Sequence, residues 1–174
     1  MESETLIIVD DKDNEIGNDS KTNCHYREPK LHRALSVFVF NAAGDMLITQ
    51  RSAAKKTWPL HWSNACCSHP RKGEVTDAAA ARRTKEELGI SCSLKFLFKF
   101  QYAARYSNEW GEKELDWVYA GRHDGPIKPD PGEITAWKFV SARDLKNDMK
   151  KNPGNYTPWF KLCAEKVIER IRGF

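Results

Sequence analysis

No apolar run in the 174-residue sequence reaches the ~18 consecutive residues of a membrane-spanning helix, so a soluble protein without a membrane partner is expected. The amino terminus, MESETLIIVDDKDNE, lacks the positive start, long apolar stretch and small-residue cleavage site of a secretory signal, which leaves the cytoplasm as the expected location. Cysteine is scarce and odd in number: Cys24, Cys66, Cys67, Cys92 and Cys163 contain no Cys-x-x-Cys pair, which excludes a complete disulfide framework. Neither sign of charge dominates, with 28 basic against 24 acidic residues and a net charge of +4. That balance does not demand nucleic acid and suits a small anionic substrate. Internal repeats and low-complexity tracts are absent. What remains, 40% hydrophobic and 30% charged residues, is the composition of one globular domain with one core, and no obligate protein partner is expected.

The element signals alternate. TLIIVDD reads as a strand entering a polar turn, and DDKDNEIG imitates a calcium loop, but Ile16 and Thr22 stand where an EF-hand needs glycine and glutamate. LHRALSVFVFN and MLITQR, separated by NAAGD, predict a hairpin. In KGEVTDAAAARRTKEELGI, Thr76 or Asp77 as N-cap, the alanines and Gly89 as the stop predict a helix. Strands follow at SLKFLFKFQY, ELDWVYAG and AWKFV, the last after the proline-rich loop GPIKPDPG. A final helix begins in YTPWF, with Thr157 as cap and Pro158 as first residue, and its predicted apolar stripe is Leu162, Cys163, Val167, Ile168 and Ile171. The fold class expected is α+β, with helices on a mixed or largely antiparallel sheet.

Glu74, Arg82, Glu86, Glu87 and Gly89 fall at the spacing of a Nudix box, G-x5-E-x7-R-E-U-x-E-E-x-G-U, and the segment resembles that family. In such a box, helical carboxylates hold divalent metals against a substrate's diphosphate, hard oxygen ligands for a hard cation. This box is altered: Ser68 replaces its first glycine, Arg83 a glutamate and Thr84 the bulky apolar residue. Arg83 places a cation four residues before Glu87 on the same helical face. The helix therefore suits holding a diphosphate better than cleaving one. Considered alone, Arg82 with Glu86 and Arg83 with Glu87 read as exposed i,i+4 ion pairs, a reading that the box spacing and the neighbouring motifs reverse.

Strand alternation puts Glu112, Glu114 and Asp116 on one face of GEKELDWVY and Leu115, Trp117 and Tyr119 on the other. With His25, His32 and His69, such carboxylates would make a mixed nitrogen and oxygen site suited to manganese, zinc or magnesium. A solvated strand face is the alternative use of the acidic alternation. In SNACCSHP, adjacent Cys66 and Cys67 point to opposite sides, and paired zinc-finger spacing is missing, which disfavours structural zinc. A vicinal disulfide is disfavoured in a reducing compartment.

Together, KTWPLHWSNACCSHP, the altered box, WGEKELDW and YTPWF closely resemble the type 1 isopentenyl diphosphate isomerase family, from Lys21 to the C-terminal helix. The resemblance implies a Nudix-like fold and movement of a carbon–carbon double bond between isopentenyl and dimethylallyl diphosphate. It implies residues 1–29 as an N-terminal strand and substrate-closing segment, and 30–174 as Nudix-like core and C-terminal helix. By that resemblance Cys67 is the catalytic thiol and Glu114 its partner acid/base and a metal ligand, with Tyr102 hydrogen-bonding beside it. His25, His32, His69 and Glu112 complete one metal site, and Glu87 helps hold a magnesium on the substrate's diphosphate. Lys21, Arg51, Lys55 and Arg83, with Ser68, correspond to the family's diphosphate clamp, and Trp159 to the tryptophan that faces the carbocation. The enzyme alternative is a Nudix hydrolase, and the non-enzyme alternative a metal-bound interaction module.

Overall fold

The structure, a computed structural model, describes residues 4–171; residues 1–3 and 172–174, the ends of the predicted domain, lie outside the described residues. In chain order the strands are β1 (Thr5–Val9), β2 (Glu15–Ser20), β3 (His32–Phe40), β4 (Met46–Arg51), β5 (Trp62–Ser63), β6 (Cys66–Ser68), β7 (Leu94–Arg105), β8 (Gly111–Arg122) and β9 (Ile134–Val140). The helices are α1 (Lys21–His25), α2 (Thr76–Leu88), α3 (Ala142–Lys151) and α4 (Pro158–Ile171). Among the described residues the strands form one mixed sheet. None of the described helices is long and apolar enough to cross a membrane.

β3 is the axis. Its VFVF run is buried on both faces, as a strand between two helical layers must be. Leu35, Val37 and Val39 enter a core with Ala79, Ala80 and Leu88 of α2. Phe38 and Phe40 enter a second core with Trp159, Phe160, Cys163 and Val167 of α4. Each large apolar side chain buried in this way contributes about 1.5–3 kcal/mol.

Pairing departs from the expected hairpin. β3 and β4 meet only at Phe40↔Met46, after which β4 runs antiparallel to β9. The long partner of β3 is β8, parallel and in register from His32↔Glu114 to Phe40↔Arg122. β6 lies antiparallel on β3, with Ser36↔Cys67 and Val37↔Cys66.

The capping of α2 is another correction. Val75 is its N-cap and makes no side-chain cap bond, while Thr76 is already helical. Asp77 is drawn away by Tyr119, whose hydroxyl donates to its carboxylate at 2.5 Å. Gly89 ends the helix as expected, in the left-handed region at φ +67. In α4, Leu162 is 63% exposed, and the buried stripe is Trp159, Phe160, Cys163, Ala164 and Val167. The rotation follows from Trp159 and Phe160, whose aromatic area outweighs one leucine.

Besides the short β5 and β6, three elements carried no clear signal. β2 (EIGNDS) has no buried residue and few β-forming ones, α1 is five residues long, and α3 buries Leu145 alone. The N-cap of α3, Ser141, whose Oγ accepts from the Asp144 N–H at 3.1 Å, was the available clue.

Candidate active site

The register of the central strands assembles the site. His32 opens β3 directly beside Glu114 of β8, Cys67 lies opposite Ser36, and His69 follows the last residue of β6. His25 comes from α1, which Ser20 caps by accepting from the Asn23 N–H. The pleat separates the two thiols: Cys66 is fully buried in the α2-side core, whereas Cys67 is half-buried and lines a cavity on the other face. All five cysteines are free.

Ligand atoms of His25, His32, His69 and Glu114 lie within 4.8 Å of one another, all buried. The Nδ1 atoms of His25 and His32 each lie 2.7 Å from a backbone carbonyl, of Lys21 and Lys30. A carbonyl only accepts, so each Nδ1 carries the hydrogen and each Nε2 presents a lone pair. Those Nε2 atoms lie 3.8 and 3.4 Å from Glu114 Oε1, and His69 Nε2 lies 2.9 Å from the same oxygen. His32 Nε2 is buried without a hydrogen-bond partner. The lone pairs of His25 and His32 converge on one carboxylate oxygen in a dry site with both ring tautomers fixed from behind, and His69 Nδ1 is buried without a partner, a donor set that could hold a divalent cation.

Around this group the carboxylates differ in state. Burial opposes ionisation of Glu114, but the close imidazoles of His25, His32 and His69 outweigh it and hold the carboxyl well below its ordinary range. Burial, then the charge of Glu114, pushes Glu112 upward. Burial drives Asp116 upward too; Ser36 donates to its Oδ2 at 2.7 Å, and its Oδ1 has no partner. Tyr102 Oη lies 2.5 Å from Glu114 and 2.9 Å from Glu112, although it has one hydrogen to give. A protonated Glu112 closes the count by donating to Tyr102, which donates to ionised Glu114. The other oxygen of Glu112 accepts from Thr57 at 3.1 Å, so Glu112 stands beside the histidine group and outside its four ligand atoms.

The cavity has a volume of about 390 Å³. Cys67, Tyr102, Glu112, Glu114 and Trp159 line it together with His25 and His69. Lys21, Arg51, Lys55 and Ser68 also line it, whereas His32, Arg83 and Glu87 do not. Burial pushes the Cys67 thiol up to about 12, so it is a proton-bearing group at neutral pH. Trp159 is 2% exposed, with its Nε1 3.0 Å from Cys67 Sγ and the Arg51 guanidinium 5.2 Å from its ring centre.

The expected clamp cations are each engaged by protein groups. Lys21 pairs with Glu4 at 3.0 Å and Lys55 with Glu133. Arg51 donates to the carbonyls of Thr57 and Trp58. Arg83 reaches Glu86 at 2.7 Å, Glu87 at 2.5 Å and Glu133 at 3.2 Å. Glu87 is buried behind the cavity, and burial raises its carboxyl even beside Arg83. Elsewhere in the box Arg82 grips Glu74 through two bonds of 2.7 Å and pins the loop that precedes α2. Sequence patterns did not single out Ser63, Asn64, Thr57 or Trp110; the first two lie within SNACCSHP, where the thiols and His69 were the more conspicuous chemistry.

A NUDIX domain model matches residues 30–160. Isopentenyl-diphosphate Delta-isomerase 1 of Aromatoleum aromaticum is 43% identical over 163 residues, covering 94% of this chain and 92% of the relative. Isopentenyl-diphosphate Delta-isomerase of Serratia proteamaculans is 41% identical over 157 residues, covering 90% and 87%. Among solved structures, DR0079 from Deinococcus radiodurans superposes with a TM-score of 0.75 at 20% identity, covering 96% of this chain and 98% of that one, a likeness of fold. The α+β architecture, the altered box and these relatives agree: this chain belongs to the isopentenyl-diphosphate Delta-isomerase family and is built on a Nudix domain.

Proposed function

We propose that this chain interconverts isopentenyl and dimethylallyl diphosphate, acting as a single domain in the cytoplasm without nucleic acid, membrane or obligate protein partner. The observation that carries the reading is that Cys67 and Glu114 line the same cavity, with Lys21, Arg51 and Lys55 on its wall. An alkene without activating groups isomerises when one group delivers a proton to the terminal carbon and another removes one from the carbon on the far side of the resulting tertiary cation. Two proton carriers suffice. Cys67 holds its proton on Sγ at neutral pH, and Glu114, ionised and linked to Tyr102, is the complementary acceptor. Trp159 supplies π density for the cation, which in a desolvated pocket stabilises it by about 2 kcal/mol.

His25, His32, His69 and Glu114 would hold a divalent ion, for which manganese, magnesium and zinc are the candidates. Bound there, the ion would supply positive charge that keeps Glu114 ionised and oriented. Glu112 and Tyr102 support Glu114 from the other side. Magnesium accompanying the substrate's diphosphate is the second cofactor of the proposal, with Glu87 as its protein ligand and Arg83 and Ser68 completing the clamp. Arg83 in place of the box glutamate favours isomerisation over hydrolysis, because a carboxylate of a hydrolase's metal site is replaced by a phosphate-binding cation.

The test is incubation with isopentenyl diphosphate and magnesium in deuterium oxide, with and without chelator. Dimethylallyl diphosphate carrying solvent deuterium, lost on chelation, is expected. Release of phosphate without an allylic product would identify a Nudix hydrolase instead. Absence of any turnover, with partner binding unaffected by Cys67→Ala, would identify an interaction module.

A further inference from the structure

The geometry points to Asn64 and Ser63 as positioning residues that fix the direction of the Cys67 S–H bond and the plane of the Trp159 indole through one buried hydrogen-bond network. The inference deepens the isomerase reading and, for its kinetic test, rests on it.

Hydrogen directions in this network follow from two backbone carbonyls. The Asn64 side chain is buried, and its Nδ2 donates to Cys66 O at 2.7 Å and to Val37 O at 3.1 Å. Flipping the amide would bring its oxygen against two carbonyl oxygens, so Oδ1 must face the other way. There it meets Cys67 Sγ at 2.9 Å and Ser63 Oγ at 3.1 Å. An amide oxygen only accepts. Both Cys67 and Ser63 therefore donate to it, which places the thiol hydrogen on the Asn64 side and leaves the sulfur lone pairs to other neighbours.

With its hydrogen committed, Ser63 Oγ has only lone pairs left to offer. Thr157 Oγ1 lies 3.0 Å from it and becomes a donor. Trp159 Nε1 lies 3.0 Å from Ser63 Oγ and 3.0 Å from Cys67 Sγ, so its single hydrogen is shared between them. Asn64 is itself anchored from behind, its carbonyl accepting from Thr49 Oγ1 at 2.9 Å. One hydrogen-bonded chain thus runs from the β3 and β6 backbone through Asn64 and Ser63 to Cys67 and Trp159. The network also restrains the sulfur: to deliver its hydrogen into the cavity Cys67 must rotate away from Asn64, and the hydrogen has a defined place to return to.

Two readouts test the assignment. The first needs no turnover: the Cys67 S–H infrared band, isolated by subtracting the spectrum of Cys67→Ser from that of the wild type, is expected at the lowered frequency of a strongly hydrogen-bonded thiol. A band at the free-thiol frequency would overturn the inference whatever reaction the chain catalyses. The second is kinetic. Ser63→Ala is expected to lower kcat roughly tenfold to a hundredfold with KM for isopentenyl diphosphate nearly unchanged, and Ser63→Thr to restore kcat, because misplacement of reacting groups acts on the transition state. Thr157→Val, which removes the outer donor, is expected to give a smaller loss of the same kind. Unchanged kcat in Ser63→Ala, or a parallel rise in KM, would reject a positioning role. Should Ser63→Ala not fold, the infrared band and Thr157→Val decide. A wild type that shows the bonded S–H band but no isomerisation would retain the network and refute the proposed reaction.

Discussion

Cys66 and Cys67 are chemically identical, adjacent in sequence and opposite in fate. Cys66 has no exposed surface and lies among Leu35, Val37 and Ala79, where burial, then the nearby charge of Glu87, lifts its thiol far above the ordinary range. Replacing it by serine puts a more polar hydroxyl into an apolar core, at a cost of about 1–3 kcal/mol. Cys66→Ser should therefore melt at a lower temperature but retain most of its turnover. Cys67→Ser should fold normally and lose about 10²–10⁴-fold in kcat, the typical contribution of a positioned proton carrier. Equal loss of turnover in the two variants would overturn the assignment. Because Cys67 is pushed up to about 12, its alkylation by iodoacetamide should be slow at neutral pH and accelerate up to that range. That the two thiols point apart was legible in the sequence, since a strand's pleat separates neighbours, while the choice of Cys67 came only from the family resemblance. Asn64 was not legible: its role depends on the Val37 carbonyl, brought beside it by a strand pairing that residue types alone do not reveal.

Among the elements, α2 departs most from the pattern it resembles, and its run of alanines and Gly89 made both its existence and its terminus predictable. Gly89 combines φ +67 with a site where an added Cβ would come within 2.9 Å of the Lys128 carbonyl oxygen. Gly89→Ala should accordingly cost about 1–3 kcal/mol, read as a lowered denaturation midpoint; an unchanged midpoint would mean that the loop yields freely. Arg83 is the cation nearest buried Glu87 and also reaches exposed Glu86 and half-buried Glu133, which pair in addition with Arg82 and Lys55. Arg83→Glu takes the nearest cation from buried Glu87 and adds a carboxylate beside it, so the variant should lose about 1–3 kcal/mol without metal. Millimolar magnesium should recover part of the loss while affinity for the substrate's diphosphate falls; a melting temperature insensitive to magnesium would show that the cluster cannot accept the ion. β2, α1 and α3 were less legible because their residues are mainly exposed, and apolar periodicity reports only faces that are buried. The splayed β3–β4 pair has a different cause: local turn chemistry indicated a hairpin, but beyond Phe40↔Met46 the facing edge of β3 is taken by β6 and that of β4 by β5.

At the scale of the whole molecule, the histidine group joins α1, the start of β3, the segment after β6 and the middle of β8, so an ion held there fastens elements distant in sequence. A ligand that binds the folded chain alone stabilises it by about 2.7 kcal/mol at a hundredfold excess over its dissociation constant. Removing metal with a chelator should therefore lower the melting temperature by several degrees, reversibly on return of manganese or zinc. The metal-free protein should also respond to acid in a definite direction. His69, held neutral by burial, has its pKa lowered from 6.5 to about 3. Between those values the unfolded chain takes up a proton at this position that the folded chain refuses, so the His69 contribution to stability falls as pH is lowered from 6.5 toward 3. His25 is raised despite its burial, by hydrogen bonding to and the charge of Glu114, and opposes this trend, so the overall slope mixes several groups. Comparison with a single variant separates them. Melting temperatures of chelated wild type and chelated His69→Gln, measured from pH 7.5 down to about pH 5, should show a flatter acid decline in the variant, since glutamine takes up no proton in either state. Parallel declines would mean that His69 is protonated in the folded chain, and with it the lone pair offered to the ion beside Glu114 would be lost.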